Sequence, residues 1–232
     1  MTSISLIIPI YNESKSIEVC MDNLASLAPL DEIIFADGGS KDDTLNKIKE
    51  RIENQGASYR VISCPKGRAQ QMNYAAERAE GDILWFSHAD SLLPSEAPQL
   101  IQKAVEEGSR FGCFQIDFDL KGPLMSCNRY MSNRRAKKSR IAFGDQGIFI
   151  HKELFNRIGG FSNLPIMEDY ELSRRLKKED IPLTVLPATI VTSGRRYENH
   201  PLRTMLQMIW LRHLYRKGVD INKISEIYKD VR

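Results

Sequence analysis

The chain lacks the features that would place it in several large protein classes. It has four cysteines in 232 residues, Cys20, Cys64, Cys113 and Cys127, and none stands in a CxxC pair. Thiolate zinc sites are built from close pairs, so the spacing argues against a structural zinc. Scattered cysteines read instead as small buried residues of a reducing compartment. Charge of one sign is not in excess: 33 Lys and Arg face 30 Asp and Glu, a net of +3. That balance gives no global footprint for nucleic acid, and none is expected as a partner. No run reaches the roughly 18 apolar residues that a spanning helix requires. The opening MTSISLIIPIYNE has too short an apolar run for a secretory leader and no basic residues before it, so a cytoplasmic protein is expected. There is no internal repeat, low-complexity segment or flexible linker.

What is present suits one α/β unit. With 42% hydrophobic residues the chain can bury a core without disulfides. Ile4 to Ile10 is a nearly continuous β-branched run, as for a strand covered on both faces. Ile17, Met21, Leu24 and Leu27 follow at helical spacing. Glu32 to Ala36 reads as a second strand, with Ser40 and Asp43 as a capping-box pattern before a helix carrying Leu45, Ile48 and Ile52. Tyr59 to Ser63, Arg68 to Ala79, Asp82 to Ser87 and Pro94 to Glu107 continue the alternation as strand, helix, strand and helix. Four such repeats predict βαβ units and a largely parallel sheet, whose ligands bind at the carboxyl ends of the strands. Beyond them, Phe114 to Leu120, Gly147 to Ile150 and Leu183 to Leu186 read as strands. Pro123 to Arg140, Met167 to Lys178 and the last thirty residues read as helices. The expected organisation is a domain over residues 1–200 and a helical extension over 201–232, packed on it or lying at a membrane or dimer surface.

The polar clusters fall at the carboxyl ends of the predicted strands. Pro9-Ile10-Tyr11-Asn12-Glu13 ends the first, and Asp37-Gly38-Gly39-Ser40 ends the second. Both are also good turns, but the Asp37 carboxylate suits a base or ribose, and Gly38 lets backbone approach a ligand. Lys66-Gly67-Arg68 opens a helix with cations, where the positive end of the dipole prefers anions; that conflict favours a bound diphosphate. Ser87-His88-Ala89-Asp90 places a carboxylate fit to hold Mg²⁺ or Mn²⁺, or to serve as a helix N-cap before Pro94. Met167-Glu168-Asp169-Tyr170-Glu171 gathers three acids in the first turn of a helix. This complements the dipole, and mutual repulsion can also raise a carboxylate toward the basicity of a general base.

In this order the clusters resemble the family 2 glycosyltransferases, through SLIIPIYNE, DGGSKDDT, FSHAD and IMEDYELSRRL. GRAQQMNYAA, GDQGIFI and TSGRRYE are similar to small bacterial stand-alone members. The resemblance covers residues 4 to 200 and implies the GT-A fold, a Rossmann-like three-layer α/β sandwich around a mostly parallel sheet. It also implies a role for each matching residue. Pro9, Tyr11, Glu13, Asp37 and Gly38 would line the nucleoside pocket, and Arg68 would sit near the base and diphosphate. Asp90 would ligate a divalent metal, with His88 standing where the family has an acid. Asp169 would deprotonate the acceptor hydroxyl, with Glu168 orienting Asp169 or touching the acceptor. The activity implied is an inverting, single-displacement transfer from a nucleotide-diphosphate sugar, with UDP preferred and GDP next. Ser193-Gly194-Arg195-Arg196-Tyr197 replaces the QxxRW motif of processive synthases, which implies a non-processive enzyme.

Two rivals share the fold. A sugar nucleotidylyltransferase would need a glycine-rich triphosphate loop, and PIYNESKS has no glycine. A non-catalytic nucleotide-sugar binder would have lost the metal or base carboxylate, yet Asp90 and Asp169 are present. Two basic stretches remain. Arg129, Arg134, Arg135, Lys137, Lys138 and Arg140 put six cations in twelve residues, either a solvated face or an acceptor site for an anionic substrate beside Asp169. Residues 202–217 mix Leu202, Met205, Leu206, Ile209, Trp210 and Leu214 with arginines. That is the composition of a helix at a membrane surface, or of one at a dimer or core contact.

Overall fold

A computed structural model describes residues 2–52 and 59–229. In chain order its elements are β1 (Ile4–Ile10), α1 (Ile17–Ala25), β2 (Glu32–Asp37), α2 (Thr44–Ile52), β3 (Tyr59–Ser63), α3 (Arg68–Arg78) and β4 (Ile83–Phe86). Then come β5 (Ser91–Leu92), α4 (Ala97–Glu106), β6 (Phe111–Phe118), α5 (Pro123–Ser139) and β7 (Phe149–His151). The remainder is α6 (Lys152–Arg157), α7 (Glu168–Lys178), β8 (Thr184–Thr192), α8 (Pro201–Arg216) and α9 (Ile221–Lys229).

The apolar run of β1 is buried on both faces, and its side chains alternate between two cores. Ile4, Leu6, Ile8 and Ile10 join Ile17, Met21 and Leu24 of α1, Ile48 of α2 and Ile101 of α4. Ile7 points the other way, to Met72 and Ala75 of α3, Leu154 of α6, and Leu172 and Leu176 of α7. The period-two geometry of a strand thus makes a three-layer sandwich, with burial of each isoleucine worth roughly 2 kcal/mol. The sheet order is β3-β2-β1-β4-β7-β6-β8-β5. β3, β2, β1 and β4 run parallel, as the four strand–helix repeats predict. β6 and β8 are also parallel, whereas β7 runs against both β4 and β6, and β5 against β8.

Several expectations need correction. Ser40 does not cap α2: its Oγ accepts from the Asn12 N–H (3.0 Å), and Asp42 accepts from the N–H of Thr44, where the helix begins. Asp90 and Ser91 cap nothing either, because the short strand β5 intervenes and α4 starts at Ala97 rather than Pro94. β6 begins earlier than the alternating pattern, at Phe111, and β8 runs on to Thr192. Cys20 and Cys113 are buried, but Cys64 is half-buried and Cys127 exposed. The last three residues of the predicted helical tail lie outside the described residues. α8 and α9 pack through Leu211 and Ile224 on Ile141, Met167 and Tyr170.

Candidate active site

The carboxyl ends of β1, β2 and β4 and the start of α7 meet at one cleft. On the β1–β2 side, Asn12 adopts φ 54°, a left-handed conformation that turns the chain out of the strand. It accepts the Lys41 N–H on its side-chain oxygen (2.8 Å). The Glu13 N–H donates to Thr44 Oγ1 (2.8 Å), and its carboxylate accepts the Ser16 hydroxyl. Asp37 is buried, and its carboxylate accepts the N–H groups of Gly39 and Ser40 at 3.0–3.2 Å. Its first role is therefore to hold the DGGS turn, although a carboxylate has about four lone-pair positions and retains acceptor capacity. Lys66 lies 3.8 Å from the centroid of the Tyr11 ring, and its ammonium lowers the Tyr11 pKa.

Sequence reasoning passed over Gln71. This buried amide donates to the carbonyls of Ile10 (2.8 Å) and Ala36 (2.7 Å), tying the ends of β1 and β2 together. A Cβ on Gly38 would stand 3.0 Å from its side chain, so the glycine lets Gln71 reach both strands. Only the position of a buried glutamine on the inner face of α3 could have signalled it.

On the opposite side, Met167 enters α7 at φ 69°, an uncommon conformation for a residue with a side chain and one that recurs at functional sites. The next two residues are Glu168 and Asp169. Glu168 is buried, and its carboxylate stands 3.5 Å from the Arg68 guanidinium. Burial raises its pKa and Arg68 counters the rise. Asp169 is held by two backbone amides: Gly144 N–H donates to its Oδ2 (2.7 Å) and Tyr170 N–H to its Oδ1 (2.6 Å). Arg68 thus reaches from the start of α3 to Glu168 at the start of α7, and its charge is coupled to those of Asp169 and Asp90.

His88 closes the group. A Cβ on Gly144 would lie 2.9 Å from His88 Nε2 and 3.4 Å from Asp169 Oδ2, so the glycine stands between imidazole and carboxylate with no room for a side chain. Gly147 in the same GDQG turn has φ 60°, and a Cβ there would strike Ile190 at 2.4 Å. Burial, then the charges of Arg68 and Arg196, lower the His88 pKa to about 3, leaving a neutral imidazole. Asp145, also missed by the sequence reading, has a buried Oδ1 with no hydrogen-bond partner. Burial lifts its pKa to about 6 against the pull of Arg135. Arg135 bonds Gln146 Oε1 (2.8 Å) and stacks 3.7 Å from the Phe143 ring centroid. Of the six cations read as either a solvated face or an acceptor site beside Asp169, only Arg135 turns this way. Arg129, Arg134, Lys137 and Lys138 line a groove of about 700 Å³ against β6 and β8, and Arg140 pairs with Asp180.

The donor set for a metal is thin. Among the described residues, no three His, Cys, Asp or Glu side chains stand close enough to hold an ion. Exposed Asp90 and half-buried His88 supply one carboxylate and one neutral imidazole, a pair that suits Mn²⁺ better than Mg²⁺ and that needs ligand oxygens to complete it.

Residues 5–162 match the sequence profile described as glycosyl transferase family 2. A poly-β-1,6-N-acetyl-D-glucosamine synthase of Staphylococcus epidermidis is 26% identical over 110 residues, 47% of this chain and 27% of that protein. A poly(ribitol-phosphate) β-glucosyltransferase of Bacillus spizizenii is 34% identical over 100 residues, 40% of this chain and 16% of its own length. The matched segments thus span only a small part of these relatives. Among solved structures, a Pyrobaculum calidifontis mannosyltransferase in complex with GDP-Man and Mn²⁺ superposes with a TM-score of 0.71 at 20% identity, covering 99% of this chain and 70% of its own. S. aureus TarS in complex with UDP-GlcNAc gives 0.67 at 18%, covering 83% and 58%. These neighbours have the GT-A fold.

Proposed function

The chain belongs to glycosyl transferase family 2, and from that premise we propose that it is an inverting, non-processive transferase moving a sugar from a nucleotide-diphosphate donor to a hydroxyl acceptor. The observation that carries the proposal is the gathering of His88 and Asp90, just past the carboxyl end of β4, with Arg68 at the start of α3 and Asp169 at the start of α7. UDP is the preferred nucleotide and GDP the next, in keeping with relatives that bind one or the other.

Pro9, Tyr11, Glu13, Asp37 and Gly38 form the wall for the nucleoside, with the turn held rigid by Asp37 and Gln71. Arg68 and Arg196 supply positive charge for the diphosphate. Asp90 and His88 would hold the divalent ion, Mn²⁺ or Mg²⁺, which when bound neutralises charge on the departing diphosphate. Asp169, held by the Gly144 and Tyr170 amides, takes the proton of the acceptor hydroxyl as that oxygen bonds to the anomeric carbon. The bond from that carbon to the diphosphate oxygen breaks on the opposite face, its electron pair leaving with the nucleotide, so the configuration inverts. Glu168 keeps Arg68 in place across the cleft.

The test is to incubate the protein and Mn²⁺ with a panel of UDP- and GDP-sugars and hydroxyl acceptors, following nucleotide release and the anomeric proton of the product by NMR. Release of one nucleotide with a product of inverted configuration is expected. Retained configuration would refute the single displacement. Absence of release with every donor, from folded protein, would favour a nucleotide-sugar binder without catalysis.

A further inference from the structure

α8 is apolar on two opposite sides. Met208, Leu211, Leu214 and Tyr215 pack inward with Ile141 and Tyr170. Leu202, Leu206, Ile209 and Trp210, spaced as one helical stripe, face outward, and each is 48–57% exposed. A helix with apolar residues all round is ordinarily covered on every side, and contiguous exposed apolar area of this kind marks an interaction surface. α5 touches α8 and adds Tyr130 and Met131, exposed at 61% and 54%.

Charge says what covers this surface. Neither α5 nor α8 contains a single Asp or Glu, although acids and bases are nearly balanced in the whole chain. Arg203 and Arg216 flank the α8 stripe, and Arg129, Arg134, Lys137 and Lys138 line the groove that α5 makes with β6 and β8, where Asp117 pairs with Arg129. Two copies docked through this face would bring like charges together. An anionic lipid surface complements both the cations and the apolar stripe: the cations meet headgroups, and Leu206, Ile209 and Trp210 enter the boundary with the acyl chains. We propose that the outward faces of α5 and α8 form a docking surface for an anionic bilayer. Among the described residues no helix is long and apolar enough to cross a membrane, so the contact is peripheral. Arg135 of α5 and Arg212 of α8 turn inward and both flank Phe143, next to Gly144 and Asp169, so the two helices that carry the docked face also adjoin the side of the cleft that holds the proposed base.

The test uses the full chain and vesicles of phosphatidylcholine with and without phosphatidylglycerol. Co-sedimentation with the anionic vesicles only is expected, weakening with salt, together with a blue shift of tryptophan emission. The chain has two tryptophans and Trp85 is fully buried, so the shift reports Trp210. Leu206→Ser with Trp210→Ser should abolish sedimentation at an unchanged melting temperature. Arg134→Glu with Lys138→Glu should weaken it by about fivefold or more per site. No sedimentation with either vesicle, or equal sedimentation with neutral ones, would overturn the proposal. So would a concentration-dependent dimer that Leu206→Ser with Trp210→Ser dissolves, which would give the surface to a second copy.

Discussion

On the proposed nucleotide side of the cleft the supporting side chains hydrogen-bond to backbone: Asp37 to the amides of its own turn, Gln71 to the carbonyls ending β1 and β2, Asn12 to Lys41. On the other side Asp169 also takes two backbone amides, but around it charges face charges: Arg68 with Glu168 and Arg135 with Asp145, with Arg196 acting on His88 and Asp145. The first arrangement is short-range and sets the shape of a wall. The second is coupled over several residues, because burial strengthens each interaction and leaves each charge dependent on its neighbours. A single substitution should therefore act locally on the first side and spread on the second.

The largest effect is expected from Asp169→Asn, which removes the proton acceptor without changing shape. Turnover should fall by about 10²–10⁴-fold while nucleotide affinity stays within a few-fold of the parent. A parallel loss of nucleotide binding would mean that the two sides are not separable. Gly144→Ala comes next. Its Cβ would meet His88 Nε2 at 2.9 Å, and the carboxylate or imidazole must shift. Displacement near the reacting atoms should lower kcat by roughly tenfold to a hundredfold, with little change in KM for the donor.

Gln71→Ala probes the other side. It removes one hydrogen bond to each of the carbonyls of Ile10 and Ala36, the first of which keeps the Gly38 N–H, a loss of about 1–3 kcal/mol in unfolding free energy for the two bonds, with weaker nucleotide binding and a proportionate kcat. Denaturant unfolding and calorimetry check the two parts. The smallest effect is a pH slope. Asp145 has a pKa raised by burial to about 6, so its contribution to stability is present below the unfolded value near 4 and is lost as pH rises through 6. Asp145→Asn removes that loss. Whatever the offset at pH 4, the stability of the variant relative to the parent should increase between pH 4 and 7, and a constant offset would show that Asp145 does not titrate there.

The donor half was legible because its strands are continuous apolar runs with glycine- and asparagine-rich turns at their ends, signals that lie within a few residues of one another. Asp90 and Asp169 drew notice through equally local signals, Asp90 in a polar segment directly after a strand and Asp169 among three acids that open a helix. The network around Asp169 was less legible. Asp145 and Gln146 sit in a 3-10 turn, and what gives them meaning is Arg135, ten and eleven residues earlier on a helix that reads as a solvated charge run. The six cations of that run look alike in sequence, and only the packing of α5 on Phe143 and β6 sorts them between cleft, groove and the Asp180 ion pair. Capping at α2 misled because Ser40 answers to Asn12, 28 residues away, rather than to its own helix.

The measurement that tests the central claim most directly is calorimetric titration of the protein with UDP and with GDP, each in Mn²⁺ and in EDTA, alongside Asp90→Ala and Asp169→Asn. Metal-dependent binding of one nucleotide, lost in Asp90→Ala and kept in Asp169→Asn, is the predicted result. Binding that neither EDTA nor Asp90→Ala affects, or no binding by folded protein, would contradict the assignment of this cleft as a metal-assisted nucleotide-sugar site.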